Sequence, residues 1–162
     1  MHYESRPGER GAALVLALAA IVLLTTLGSA LALLVATEAR IAASYRDGVQ
    51  ALHAAEGALE RMLVELAADD WTALLNGLAP ADADEPGWHV WRDGWLHELL
   101  PGVPGHVRVR VAVWVRDDPP VGDGLLVLRS RADGPSSVRR VIEAAVARDG
   151  AGVRMLWWRE WR

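Results

Sequence analysis

The stretch AALVLALAAIVLLTTLGSALALLVA, residues 12–36, decides how the rest of the chain is read. Its twenty-five residues carry no charge, with Arg10 just before and Glu38 just after. A bilayer core of about 30 Å is crossed by roughly 20 helical residues, so the run spans with some tilt. A helix satisfies its own backbone hydrogen bonds in lipid. Thr25 and Thr26 are compatible with this, since a hydroxyl bonds a carbonyl one turn back. Gly28, Ala32 and Ala36, spaced by four, form a small-residue stripe on which another helix can pack closely. The stretch reads as a transmembrane helix.

Two other readings compete. A secretory signal also places Arg before an apolar run, and Ala30-Leu31-Ala32 has the small-x-small pattern of a cleavage site, but a signal's apolar core is only about 7 to 15 residues. A buried helix of a soluble domain is disfavoured because no face of the run carries a charge.

The chain has 162 residues, enough for one modest domain beyond the helix. Of its 17 Arg, 15 lie beyond Ala36, against 19 of its 21 acidic residues. That mildly acidic balance shows no basic patch, and nucleic-acid binding is not expected. Lysine is absent, which reads as compositional bias. The lack of cysteine excludes disulfides and thiolate sites. Eight Trp and no Phe leave tryptophan to supply the bulky aromatic packing.

Residues 1–11 are polar, contain Pro7 and Gly8, and read as a leader or cytoplasmic tail. Arg6 and Arg10 favour the cytoplasm for this end, an effect that Arg40 and Arg46 dilute. Residues 37–68 contain no Pro, and Ile41, Tyr45, Val49, Leu52, Leu59, Leu63 and Leu66 form one stripe of an amphipathic helix. A single helix of about fifty-five residues, on the order of 80 Å long, is therefore expected, with a weak point at Asp47-Gly48.

Residues 69–105 read as irregular, with Pro80, Pro86, Pro101 and Pro104 and an acidic loop at Asp82, Asp84 and Glu85, and with room for a short strand or turn of unreadable phase over Trp88–Leu99. From His106 the period becomes two. Val107, Val109, Val111, Val113 and Val115 point one way, and Arg108, Arg110, Trp114 and Arg116 the other. Further strands are expected near Leu125–Ala132, over Val138–Arg148 with Ile142, Ala144 and Val146 on the core face, and at Val153–Trp158. Short connections favour an antiparallel meander over 106–162, covered by the helix stripe. The fold class is α+β.

In this arrangement the chain resembles type IV pilin-like proteins, specifically the N-terminal region of PilX-type minor pilins, over about residues 9–66. The resemblance is carried by Arg10-Gly11-Ala12-Ala13-Leu14-Val15-Leu16, by Ile41-Ala42 with Tyr45-Arg46-Asp47, and by Gln50-Ala51, Ala54-Ala55-Glu56 and Ala58-Leu59-Glu60. It implies a pilin-like fold: a long N-terminal helix, membrane-spanning in its first half, on a small antiparallel sheet. It also implies a leader cut by a prepilin peptidase, with Gly11 and Ala12 as the matching junction. Major pilins carry Glu as the fifth mature residue. Counted from Ala12 that position is Leu16, a departure shared with many minor pilins and tip pseudopilins.

No enzyme motif stands. His97-Glu98 opens like a metalloprotease helix, but Pro101 occupies the second His position. His53, His89 and His106 have no ligand spacing. Asp117, Asp118 and Asp123 share one loop and make a weak Ca²⁺ candidate, with an ordinary solvated turn the favoured reading. Trp157, Trp158 and Trp161 either contact a partner or close the sheet against the helix, and the second is favoured.

The expected function is a minor pilin or pilin-like subunit, without cofactor or catalysis, that contributes to the assembly or tip of a type IV pilus or related pseudopilus. Its expected partners are other pilin-like subunits, a prepilin peptidase and the bacterial inner membrane, with the C-terminal domain periplasmic. The alternative is a permanently anchored periplasmic binding domain that never enters a filament.

Overall fold

A computed structural model describes residues 7–68, 71–81, 87–117, 124–150 and 152–161. Helix α1 runs Pro7–Ala68, followed by α2 (Trp71–Gly77), strands β1 (Ala79–Pro80) and β2 (Trp88–Trp95) and helix α3 (Leu96–Leu99). Then come β3 (Arg110–Asp117), β4 (Leu125–Asp133), a 3₁₀ turn (Pro135–Ser137), β5 (Arg139–Asp149) and β6 (Gly152–Trp161). Two compact units emerge, Met1–Ala43 and Ser44–Arg162, with α1 contributing to both.

The first unit is the apolar half of α1. Helix α1 begins at Pro7, so residues 7–11 are helical. Proline is tolerated at a first helical position because that N–H has no intrahelical partner. The run from residue 11 is long and apolar enough to cross a membrane, with mean hydropathy 2.5 and none of that window buried. Its hydroxyls are satisfied as the sequence implies. Thr25 Oγ1 donates to the carbonyl oxygens of Ile21 and Val22, and Ser29 Oγ to that of Thr25.

The second unit is α+β. Its sheet is a six-stranded antiparallel meander in the order β1-β2-β3-β4-β5-β6. The period-two reading of β3 to β5 holds, for Val109, Val111, Val113, Val115, Ile142, Ala144 and Val146 are all buried on one face. The 44–68 part of α1 covers that face with the later part of the stripe read from the sequence, Leu59 and Leu66 buried and Leu52 and Leu63 packed against the core, but not with its beginning. Its buried side chains are Ala51, Ala54, Ala55, Ala58, Leu59, Met62 and Leu66, whereas Tyr45 is 75% exposed and Val49 37%. Ile41, in the first unit, is exposed as well. The reason is distance. Alanines let the helix backbone approach, so that a Cβ added to Gly134 would meet Ala51 Cβ at 3.4 Å and one on Gly57 would meet Leu100 at 3.1 Å. α1 passes Asp47-Gly48 unbroken, and there the missing side chain admits Arg140, whose Nη2 would lie 3.1 Å from an added Cβ.

Residues 69–105 contain more structure than their Pro and Gly content suggests. The phase of β2 was hidden by a bulge between Val90 and Arg92, which leaves Trp91 on the helix side and brings Asp93 onto the face of Trp88 and Val90. α2 returns Trp71 to the core, where its Nε1 donates to Leu66 O at 2.8 Å and satisfies a carbonyl of α1's last turn. The β4–β5 turn holds Ser136 and Ser137 at φ 58° and 60°, sparsely populated for L-residues. Ser136 Oγ lies 3.0 Å from Asp47 Oδ2, tying this turn to the helix.

The observed packing distinguishes the alanine face from the larger apolar stripe. Met62→Ala is expected to destabilise the second unit by about 2–5 kcal/mol, and Ala55→Leu by about 1–3 kcal/mol through overpacking. Tyr45→Ala is expected to stay within about 0.5 kcal/mol. Urea unfolding followed by tryptophan fluorescence measures all three, and a large loss at Tyr45 would restore the original stripe.

Candidate functional site

Two surfaces carry functional potential, one in each unit. In the first, Leu14 to Val35 present large apolar side chains at 55–70% exposure. Gly28, Ala32 and Ala36 are exposed on this helix, and an added Cβ at Gly28 or at Gly11 would meet nothing within 4 Å. Ala12 is exposed too, and Leu16 is 70% exposed.

In the second unit the informative surface is the sheet face opposite the helix. Three cross-strand rows build it: Trp88, Arg116, Val127, Ala145 and Trp157; then Val90, Trp114, Arg129, Glu143 and Arg159; then Asp93, Ala112, Arg131, Val141 and Trp161. Strand alternation sends these side chains outward, and neighbouring rows interdigitate. Arg116 and Arg129 lie over the Trp88 ring at 4.8 and 4.3 Å, Arg131 over Trp114 at 5.0 Å, and Arg159 over Trp161 at 4.3 Å. Stacked guanidinium on indole combines an apolar roof with a charged outer surface. Under that roof Ala112, Val127 and Ala145 are buried.

Glu143 is the centre of the face and is only 3% exposed. Arg129 Nε and Arg159 Nη2 each donate to it at 2.8 Å, one to each carboxylate oxygen. Burial alone would raise its pKa, but the hydrogen bonds from Arg159, Arg129 and Trp161, with the charge of Arg129, outweigh that and hold it below the ordinary 4.5. At the rim Asp93 accepts from Arg110 Nε and Nη2 at 2.9 and 3.0 Å, and this pairing raises the Arg110 pKa. Asp133 is shared by Arg131 and Arg139 at 3.0 and 2.7 Å. An open cavity of about 670 Å³ runs over the face from Ala81 beside β1 to Trp161 on β6.

The sequence-predicted tryptophans divide between faces. Trp157 and Trp161 belong to the outer face, so they do not close the sheet against the helix, while Trp158 lies in the row of Ala144 and Leu128 on the helix side. All three are 43–57% exposed. Of the weak calcium candidate, Asp117 ends β3, and Asp118 and Asp123 lie outside the described residues, as do Asp82, Asp84 and Glu85. Among the described residues no group of three His, Asp or Glu is placed to hold a metal. Glu98 of the failed protease motif accepts the Trp95 N–H at 3.0 Å, His53 pairs with Glu56 at 3.0 Å, and His106 is exposed on a loop. His89 has a buried Nδ1 without a hydrogen-bond partner among the described residues. Glu143 and Arg129 were missed by sequence reasoning. Their signal was the alternation already visible at Arg110, Trp114 and Arg116, which repeats at Arg129 and Arg131 and at Trp157, Arg159 and Trp161.

Residues 10–60, 51 of the 162, match the family model described as PilX N-terminal. This supports a PilX-type pilin N-terminal region and, in general terms, a type IV pilus-related minor pilin that interacts with other pilus components. With one N-terminal apolar helix, it fits a single-pass inner-membrane protein. No curated protein and no solved structure matches the chain.

Because Glu143 is held below its unfolded pKa, its pairing stabilises the fold above that unfolded value and is lost as pH falls through the folded one, below 4.5. Glu143→Gln is expected to cost about 2 kcal/mol at neutral pH, less than a fully buried pair because Arg159 remains half exposed. The same variant should flatten the acid limb of the stability profile. Urea midpoints at pH 7 and below pH 4 read both effects.

Proposed function

We propose that this chain is a minor pilin-like subunit, held in the inner membrane by residues 12–36 before assembly and packed by the same helix into a filament or tip complex afterwards. The observation that supports it best is the coincidence of the PilX N-terminal match at 10–60 with an apolar helix that continues into an α+β unit. One apolar surface suits lipid and a helix bundle alike, since in both it meets hydrocarbon. Gly28, Ala32 and Ala36 are the close-approach stripe in this reading. The N-terminus is cytoplasmic, the second unit periplasmic, and a prepilin peptidase cuts between Gly11 and Ala12. The protein itself performs no catalysis.

Leu16 refines the role. A subunit entering a filament in lipid brings a charged N-terminal amine, and burying it unpaired costs several kcal/mol. Leu16 offers no carboxylate to neutralise a neighbour's amine, which suits a position with no subunit ahead. The subunit therefore acts at the tip or in initiating assembly, at low copy number. Trp157, Trp158 and Trp161 are its partner contacts, as half-exposed aromatics on the last strand.

Co-expression with a prepilin peptidase tests processing. Wild-type protein should yield a mature chain beginning at Ala12, and Gly11→Trp should remain uncut by intact-mass measurement. Identical unprocessed masses would favour the permanently anchored binding domain instead. Quantitative mass spectrometry of sheared filaments tests the tip position, where abundance comparable to the main subunit would defeat it.

A further inference from the structure

The two edges of the sheet are finished in different ways. At one edge β1 is only two residues long and ends in Pro80, which has no N–H to donate. Behind it β2 is bulged between Val90 and Arg92, and its Trp95 N–H is taken by Glu98 at 3.0 Å. Short strands, prolines and bulges are the devices that keep an edge from pairing with another chain. At the other edge β6 runs ten residues without proline and pairs only with β5. Its alternate backbone N–H and C=O groups face outward, and among the described residues no strand lies beyond them. Met155, Leu156 and Trp158 on it are 40%, 44% and 57% exposed. Trp158, unlike Trp157 and Trp161, has no arginine over its ring among the described residues.

We propose that β6 pairs antiparallel with β6 of a second copy of this chain, about a two-fold axis through Trp158. An open edge is completed by an extended strand, whose backbone supplies the missing ladder. Self-pairing further needs charges that do not repel their own copies. Each charge on β6 is matched within its chain: Arg154 by Asp149 at 3.5 Å, Arg159 by Glu143 at 2.8 Å and Glu160 by Arg140 at 3.2 Å. No unmatched charge guards this edge. With one edge open and the other blunted, such pairing closes at two copies and does not run on into a fibre.

The same residues fix the register. Leu156 stands unpaired between Met155 and Trp157, so the unbroken run of β6 is 157–161. Centred on Arg159 or on Glu160, two copies would set like charges directly opposite, which is destabilising. Centred on Trp157, they would bring the bulged Leu156 opposite Trp158. Centred on Trp158, the pairing sets that uncovered indole against its own copy and Trp157 against Arg159, whose charge Glu143 already balances. Directly opposed aromatic residues strengthen an antiparallel pair. The inference rests on the second unit alone and stands whether or not the chain is processed or enters a filament.

The chain has no cysteine, so single substitutions report the register directly. In full-length protein in detergent micelles, Trp158→Cys should form a covalent dimer on mild oxidation. Directly opposed Cα atoms lie about 4.5–5.5 Å apart, within the span of a disulfide. Arg154→Cys, about 25 Å from its own copy in this register, should crosslink about tenfold more slowly or less. Sedimentation reads the association itself. Trp158→Lys and Trp158→Glu should each weaken it about tenfold or more, and an equimolar mixture of the two should restore it. If a charged variant fails to fold, the cysteine pair decides alone. Equal crosslinking at 158 and 154 overturns the proposal, as does wild-type protein that stays monomeric at about 100 μM. So does association that survives both charged variants, which would place it on residues 12–36, or open-ended growth beyond two copies.

Discussion

The apolar face of the meander must be covered, and the rest of the second unit follows from how that is done. β3, β4 and β5 turn Val111, Val113, Val115, Leu126, Leu128, Ile142 and Val146 to one side. Exposed to water, those side chains would forfeit roughly 1.5–3 kcal/mol apiece. The cover is a helix whose contact surface is largely alanine, so the layers approach closely and larger groups fill only the margins. Met62 and Leu66 occupy one end, while Trp71, Trp91 and Leu96 seal the sides. Even the turn after β4 conforms, with two serines at positive φ and one of them bonded to Asp47 on the helix.

The other face has no helix to cover it and uses a different solution. Ala112, Val127 and Ala145 are buried there beneath side chains that are themselves charged or amphipathic. Arginine stems lie along apolar surface while their guanidinium groups stack on indoles and meet water. Among the described residues five stacked Arg–Trp contacts lie on this face, over Trp88, Trp114, Trp157 and Trp161. A chain with no lysine and no phenylalanine has in this pairing its means of finishing a sheet. The unusual composition is thus a structural resource.

Legibility in the sequence followed the regularity of the backbone. Two strands with unbroken alternation, β4 and β5, were readable to within a residue, and β3 in its phase though it starts at Arg110 and not at His106; the apolar helix and the meander were readable as well. The phase of β2 escaped because a bulge at Val90/Arg92 reverses the inside–outside alternation, and the length of β6 because Leu156 stands unpaired between Met155 and Trp157. The beginning of the helix stripe was misjudged for the opposite reason. Hydropathy favours large residues, so Tyr45 and Val49 drew attention that belonged to Ala51, Ala55 and Ala58. The outer-face network was invisible because its members lie in five different strands, and only register brings Arg129, Glu143 and Arg159 into one row.

That register has a consequence for how the two faces depend on each other. Each strand of β3 to β5 contributes alternately to the core and to the Arg–Trp layer, so a slip of one residue exchanges the two sets. It would drive Arg129 and Glu143 under the helix and set Leu128 and Ile142 against water. Glu143, satisfied only when Arg129 and Arg159 lie directly across from it, therefore selects the correct register, besides stabilising it. Valine-rich strands of near-uniform pattern are poor at specifying their own alignment. A single buried acid with two fixed arginine partners supplies what they lack, and it does so on the face opposite the helix.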